Sequence, residues 1–107
     1  LGGATAQNAM SSKKSVVIWV DSDGVIAAPQ YKSVLITSVL KGVGTSVTQV
    51  IRDQKSNKFS STPYLGTIKN KGTGLAPFYD FDSKISQKTK DELKRISLAI
   101  AAGSLKI

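Results

Sequence analysis

The chain contains no cysteine and no histidine in 107 residues. Disulfide scaffolds, cysteine nucleophiles, histidine general bases and the usual zinc sites are excluded together. Lack of cysteine leaves the compartment open. Acidic side chains are scarce as well, seven in all, so chemistry would have to come from those carboxylates, lysines, serines and backbone. No apolar stretch approaches the ~20 residues that span a bilayer. The opening Leu1-Gly2-Gly3-Ala4 has no basic leader and no long apolar segment, and so does not read as a signal peptide. It reads as the glycine turn after a strand, as though cut from a longer protein.

What remains is a globular composition, 40% hydrophobic and 21% charged, sufficient for one small domain with a modest core. The net charge is +8, carried by 13 lysines against two arginines. Nucleic-acid binders more often show arginine-rich stripes with aromatics between them. Here the lysines are spread from Lys13 to Lys106 in blocks no longer than two. We read a solvated basic surface facing anionic lipid headgroups or cell-wall polymer, with no nucleic-acid partner.

The most informative stretch is Val16-Val17-Ile18-Trp19-Val20 followed by Asp21-Ser22-Asp23-Gly24. Five apolar residues rich in β-branching read as a strand covered on both faces, as in a parallel α/β sheet. In open sheets of that kind ligands bind outside the carboxyl ends of the strands. Asp21 and Asp23 therefore stand where recognition or chemistry is expected, although a polar strand end is also ordinary loop chemistry.

Around this strand, Ala4 to Met10 reads as a short helix opening at the Gly2-Gly3 turn, with Lys13 and Lys14 near its negative pole. Ala27 to Tyr31 reads as a loop because of Pro29. Ser33 to Thr37 is expected as a second strand. Thr37 or Ser38 then caps a helix whose buried face is Val39, Leu40, Val43, Val47, Val50 and Ile51, ending near Ser56-Asn57. Pro63 to Ile68 is expected as a third strand and Asn70 to Gly74 as a turn. Leu75 to Phe81 is expected as an irregular edge segment, since Pro77 cannot donate to a central ladder. Ser86 caps a last helix over about 86–102, with Leu93, Ile96 and Ile100 on one face and Gly103 ending it. Segment 61–85 is the expected edge and hinge region.

Lys41 falls in the first turn of the helix expected after strand 33–37, where a cation opposes the positive helix pole. An acid nearby relieves it, and in a parallel sheet Asp21 ends the neighbouring strand. The pair suits a ligand rich in hydroxyls, the acid accepting and the lysine donating. Gly2 and Gly3 at a helix start bring backbone N–H groups close to a ligand, or form a plain turn. The Asp21-Ser22-Asp23-Gly24 stretch lacks the further acids of a calcium loop, and no metal site is expected. It is similar to the opening motif of haloacid-dehalogenase-type phosphatases, in which the first Asp is the phosphoryl nucleophile and the second the acid/base. That alternative would use Asp21 and Asp23. It also needs a later lysine and a second acidic cluster, whereas Lys41 is close in sequence and Asp80 and Asp82 do not follow an apolar strand.

Taken in order, four segments form a set: Leu1-Gly2-Gly3-Ala4; Val20-Asp21-Ser22-Asp23; Ile36-Thr37-Ser38-Val39-Leu40-Lys41; and Gly74-Leu75-Ala76-Pro77-Phe78-Tyr79-Asp80-Phe81-Asp82-Ser83-Lys84-Ile85. So arranged, the chain resembles the C-terminal part of the basic membrane protein family, substrate-binding lipoproteins of ABC transporters that include purine nucleoside receptors. The resemblance implies a type I periplasmic-binding-protein fold: an α/β parallel-sheet lobe with flanking helices and hinge or edge strands, and ligand held between two lobes. It implies Gly2, Gly3, Asp21 and Lys41 as ligand-binding residues, with Asp21 on the ribose hydroxyls and Lys41 bonding both ligand and Asp21. Asp80 and Asp82 become structural. It further implies a transporter permease and an N-terminal lobe of the same protein as partners. No catalytic residue and no cofactor are implied, and the expected location is extracytoplasmic, through an upstream lipid anchor. A nucleoside-sensing regulator on the same fold is the other function of this class. Trp19, where the family usually has a small residue, and Gly24, where it often has glutamine, depart from the pattern.

Overall fold

A computed structural model describes residues 2–107; of the opening Leu1-Gly2-Gly3-Ala4 segment, Leu1 lies outside the described residues. Helix α1 (Gly2–Ser12) leads into strand β1 (Val17–Asp21), a four-residue helix α2 (Gly24–Ala27) and a 3₁₀ turn at Pro29–Tyr31. Strand β2 (Leu35–Lys41) and helix α3 (Val43–Lys55) follow, then strand β3 (Thr73–Leu75), a 3₁₀ segment (Tyr79–Lys84) and helix α4 (Gln87–Ala102). The sheet order is β1-β2-β3. β1 and β2 run parallel, β2 and β3 antiparallel. The protein is thus an α/β fold built on a small mixed sheet with flanking helices.

Residues 22–34 carry the chain from the end of β1 back to the start of β2, about the length a parallel crossover needs. Pro29 opens its 3₁₀ turn, where a fixed φ is useful and a missing N–H costs nothing. Under this crossover lies the core. Ala6 and Ala9 of α1 are buried against Val34, with Met10, Val17, Trp19 and Tyr31 packed around them. Small alanines let α1 approach the sheet closely, and Trp19 fills the remaining width.

Several sequence expectations are corrected. β1 is not covered on both faces: Ile18 is 58% and Val20 61% exposed. Thr37 and Ser38 cap no helix, because β2 continues through them to Lys41. Their side chains reach across the fold instead. The Thr37 hydroxyl donates to the Ala76 carbonyl at 2.7 Å, and the Ser38 hydroxyl accepts from the Gly24 N–H at 2.9 Å. Pairing of Val39–Lys41 with Thr73–Leu75 fixes that stretch as strand. Helix α3 then begins at Val43, and its Val43, Val47, Val50 and Ile51 face solvent rather than a core.

Pro63 to Ile68 joins no ladder. The Asn70 carboxamide takes the backbone groups a ladder would use: its oxygen accepts from Thr67 N–H (2.8 Å) and Gly72 N–H (3.0 Å), and its nitrogen donates to the Leu65 carbonyl (2.9 Å). The paired strand is Thr73–Leu75, part of which had read as a turn. Helix α4 has Ser86 as its N-cap, accepting from Thr89 N–H at 3.1 Å, and Gly103 at φ 75° as its left-handed C-cap. The radius of gyration is 16.7 Å, against roughly 13 Å for a compact domain of this length. No helix among the described residues is long and apolar enough to cross a membrane.

Candidate functional site

The carboxyl ends of the two parallel strands stop side by side. Asp21 closes β1 and pairs in register with Leu40, one residue before Lys41 closes β2. The Lys41 ammonium lies 3.7 Å from an Asp21 carboxylate oxygen, and both side chains are about seven-tenths exposed (71% and 72%). An exposed pair of this kind adds about 0–1 kcal/mol to stability. Lys41 is a strand residue, so the unfavourable contact with a helix pole expected from the sequence does not arise; α3 starts beyond it, at Val43.

Asp21 has φ 71°, and the Ser22 N–H donates to the Val20 carbonyl at 3.0 Å. That i→i+2 bond around a positive-φ residue is the rarer, strained kind of γ-turn. Aspartate tolerates the left-handed region better than most residues but still costs energy there. Strain of this sort concentrates at functional positions. Asp21→Gly should therefore raise the unfolding free energy by up to about 1 kcal/mol, while Asp21→Val should lower it. Urea unfolding of both variants checks the two signs.

In front of the pair is an open groove of about 560 Å³, within the size range of small-molecule sites. Its lining comprises the apolar Val20, Val39, Leu40 and Val43, the charged Asp21 and Lys41, and Tyr64, Gly66 and Gly72 from the loop that follows α3. Gly42 and Gly72 let the 63–72 loop approach the β2–α3 corner. A Cβ on Gly42 would overlap the Lys71 carbonyl oxygen, and one on Gly72 would overlap the Gly66 Cα. Gly42 N–H also donates to the Gly72 carbonyl at 2.9 Å. Tyr64, Gly66 and Gly72 were not singled out from the sequence. The Asn70-Lys71-Gly72 turn signal was the one cue that this loop doubles back.

Gly2 and Gly3 stand elsewhere. Both lie inside α1 rather than in a turn before it. Gly2 borders a second, smaller depression of about 380 Å³, shared with Trp19, Ser22 and Asp21. A Cβ on Gly2 would sit 3.0 Å from the Trp19 ring, and Gly3 faces the Tyr31 ring edge at about 4 Å. Close approach to the Trp19 ring is therefore the visible role of Gly2, whereas at Gly3 a side chain would make only ordinary contact. Trp19 itself lies on the α1–α2 side, where a Cβ on Gly24 would be 2.6 Å from its Cγ.

Asp23 is occupied. One carboxylate oxygen caps α2 by accepting Val25 N–H at 3.1 Å, and the other accepts the Tyr79 hydroxyl at 2.5 Å. That hydrogen bond, with some burial and the carboxylate charge behind it, holds the Tyr79 phenol above its ordinary value. The bond stabilises the fold while the phenol is protonated, fully so below the unfolded phenol's pKa of about 10. The contribution disappears as pH rises through the higher folded value. Tyrosinate absorbance should show Tyr79 ionising above the ordinary phenol value, and Asp23→Asn should lower its midpoint. Asp80 and Asp82 tie the 3₁₀ segment down, to Lys32 at 3.6 Å and to Lys90 at 2.6 Å.

No group of three or more acidic, histidine or cysteine side chains able to hold a metal ion occurs among the described residues. The groove brings one carboxylate, one ammonium and the hydroxyls of Ser46, Tyr64 and Thr73 to an otherwise apolar trough. No protein-family model matches the chain, and a search of curated proteins finds no match.

Proposed function

We propose that the chain forms one wall of a ligand cleft in the binding protein of an ABC transporter, with nucleosides as the ligand class. The observation that carries this reading is the Asp21–Lys41 pair, 3.7 Å apart at the carboxyl ends of adjacent parallel strands and facing an open groove. A carboxylate accepts both hydroxyls of a ribose, and an adjacent ammonium donates to ring or hydroxyl oxygens. The fold implied is the type I periplasmic-binding-protein arrangement, in which a second lobe closes over the ligand. Such a lobe, with the rest of the sheet, would cover Ile18, Val20 and the α3 stripe, whose exposure is otherwise unexplained. The permease, a lipid anchor and an extracytoplasmic location belong to the same proposal.

With one wall only, affinity is low. Isothermal calorimetry of the 107-residue chain with inosine or guanosine should detect no micromolar site. A micromolar Kd would show that the second lobe is unnecessary and overturn the two-lobe reading. The phosphatase alternative requires Asp23 free to move a proton, whereas both its oxygens are engaged. Magnesium-dependent hydrolysis of p-nitrophenyl phosphate, lost in Asp21→Asn, would reverse that preference.

A further inference from the structure

The sheet has two edges among the described residues, and they are built differently. β3 forms one. It is three residues long and is soon followed by Pro77, which cannot donate to a further strand. β1 forms the other. The Val17 N–H donates to the Val34 carbonyl at 2.8 Å, and the ladder with β2 runs on to Asp21. Backbone groups alternate in direction along a strand, so Val17 and Trp19 turn theirs to β2 while Ile18 and Val20 turn theirs outward. The depression of about 380 Å³ is lined by the consecutive residues Val17 to Ser22 together with Gly2 and Thr5 of α1. Consecutive rather than alternate lining residues mark it as the edge of the strand and not one of its faces.

Folded proteins guard a long apolar edge with lysine or proline. From Val16 to Ser22 there is neither, although the chain has 13 lysines, and residues 15–31 carry no cation at all. Lys13 and Lys14 stand before the strand and Asp21 closes it, with Asp23 just beyond. The order is cation, apolar run, anion. Two such strands attract when they run antiparallel, whereas parallel pairing sets like charge against like.

We propose that the free edge of β1 pairs with the same edge of a second copy of this chain, antiparallel and centred on Ile18, in a two-fold dimer with a continuous six-stranded sheet. Only residues whose backbone groups point outward can exchange bonds. Full overlap of the run 16–20 then sets Ile18 opposite the partner's Ile18 and Val16 opposite the partner's Val20. Each copy has one such edge, so the pair closes and does not grow into a fibre. A strand from a second lobe would take the same edge, so the pairing belongs to the 107-residue chain by itself. It neither uses nor tests the ligand reading.

Sedimentation equilibrium provides the test. The weight-average mass should rise from 11.3 kDa toward twice that value and level there, with a Kd of about 0.1 mM for so small an interface. Ile18→Lys sets two ammonium groups opposite each other on the dyad and should weaken association at least about tenfold; Ile18→Glu should do the same. Ile18 is exposed in the single chain, so either residue is tolerated there. Mixing the two variants should restore the parent's association, which also shows that both are folded. Direction is read by cross-linking, since the chain has no cysteine of its own. Val16→Cys mixed with Val20→Cys should form a disulfide under mild oxidation, the facing Cα atoms being about 5.5 Å apart, and far more of it than either variant alone. A parent chain that stays monomeric at about 1 mM, ten times the expected Kd, would overturn the proposal. So would a mass that climbs past the dimer, association of Ile18→Lys equal to the parent's, or no recovery on mixing. Stronger cross-linking within each cysteine variant than between them would overturn the antiparallel pairing.

Discussion

Gly24→Val should destabilise the protein by about 3 kcal/mol, among the largest losses available to any single substitution in it. Gly24 is buried where α2 meets the sheet. A Cβ there would fall 2.6 Å from Trp19 Cγ, 2.8 Å from Trp19 Cβ and 3.0 Å from Leu35 Cδ1. Trp19 Cβ is fixed to the strand and Leu35 is almost fully buried, so neither yields by a simple rotamer change. Moving α2 outward instead breaks the bond from Gly24 N–H to Ser38, leaving a buried donor and acceptor that together cost about 1–3 kcal/mol. Denaturant unfolding measures the loss. The mechanism is checked by a double-mutant cycle with Trp19→Ala, which removes the Cγ that makes the tightest clash. The pair should be less destabilised than the sum of the singles, with coupling of about 1 kcal/mol or more. Additivity would mean that the clash with Trp19 is not the cause.

Gly72→Ala and Gly44→Ala should have opposite signs although the chemical change is the same. At Gly72 the new methyl group would overlap the Gly66 Cα and lie 2.8 Å from the Asn70 carboxamide oxygen. That oxygen cannot swing away without dropping the N–H groups of Thr67 and Gly72. The expected cost is about 2–3 kcal/mol, and the loop lining the groove at Gly66 and Gly72 would shift with it. At Gly44, inside α3, an added Cβ meets nothing within 4 Å. There alanine should stabilise by about 0.5–1 kcal/mol through helix propensity and a less entropic unfolded chain. Thermal melts of the two variants bracketing the parent protein are the expected result. A tolerated Gly72→Ala would mean that the loop does not pack on the β2–α3 corner.

The parts of the fold legible in the sequence were those fixed by local chemistry. A β-branched run ending in Asp21 marks β1, and the Ser86 and Gly103 signals bracket α4 within a residue. The carboxylate–ammonium juxtaposition followed from treating two apolar runs as parallel neighbours. What could not be read depends on distant partners. Thr37 looks like a helix cap until Ala76, 39 positions later, accepts its hydroxyl. Pro63 to Ile68 has strand composition, yet the Asn70 side chain competes for its backbone and wins. Apolar pattern alone cannot say whether a face is covered, which is why Ile18, Val20 and the α3 stripe were expected inside. The Gly2-Gly3 pair signals a turn in the sequence, yet α1 already includes both residues, and the Trp19 ring that Gly2 makes room for is 17 positions away.

The nucleoside reading stands on a sugar that meets the paired Asp21 and Lys41 from the groove, and the ribose hydroxyls are its most direct probe. Amide spectra of the chain with inosine, against a dideoxynucleoside lacking those hydroxyls, measure their contribution. The account predicts millimolar inosine binding, about −4 kcal/mol, with shifts centred on Asp21, Lys41 and Gly42, and at least tenfold weaker binding of the dideoxy compound. Equal binding of the two compounds, or shifts located away from the ends of β1 and β2, would contradict it.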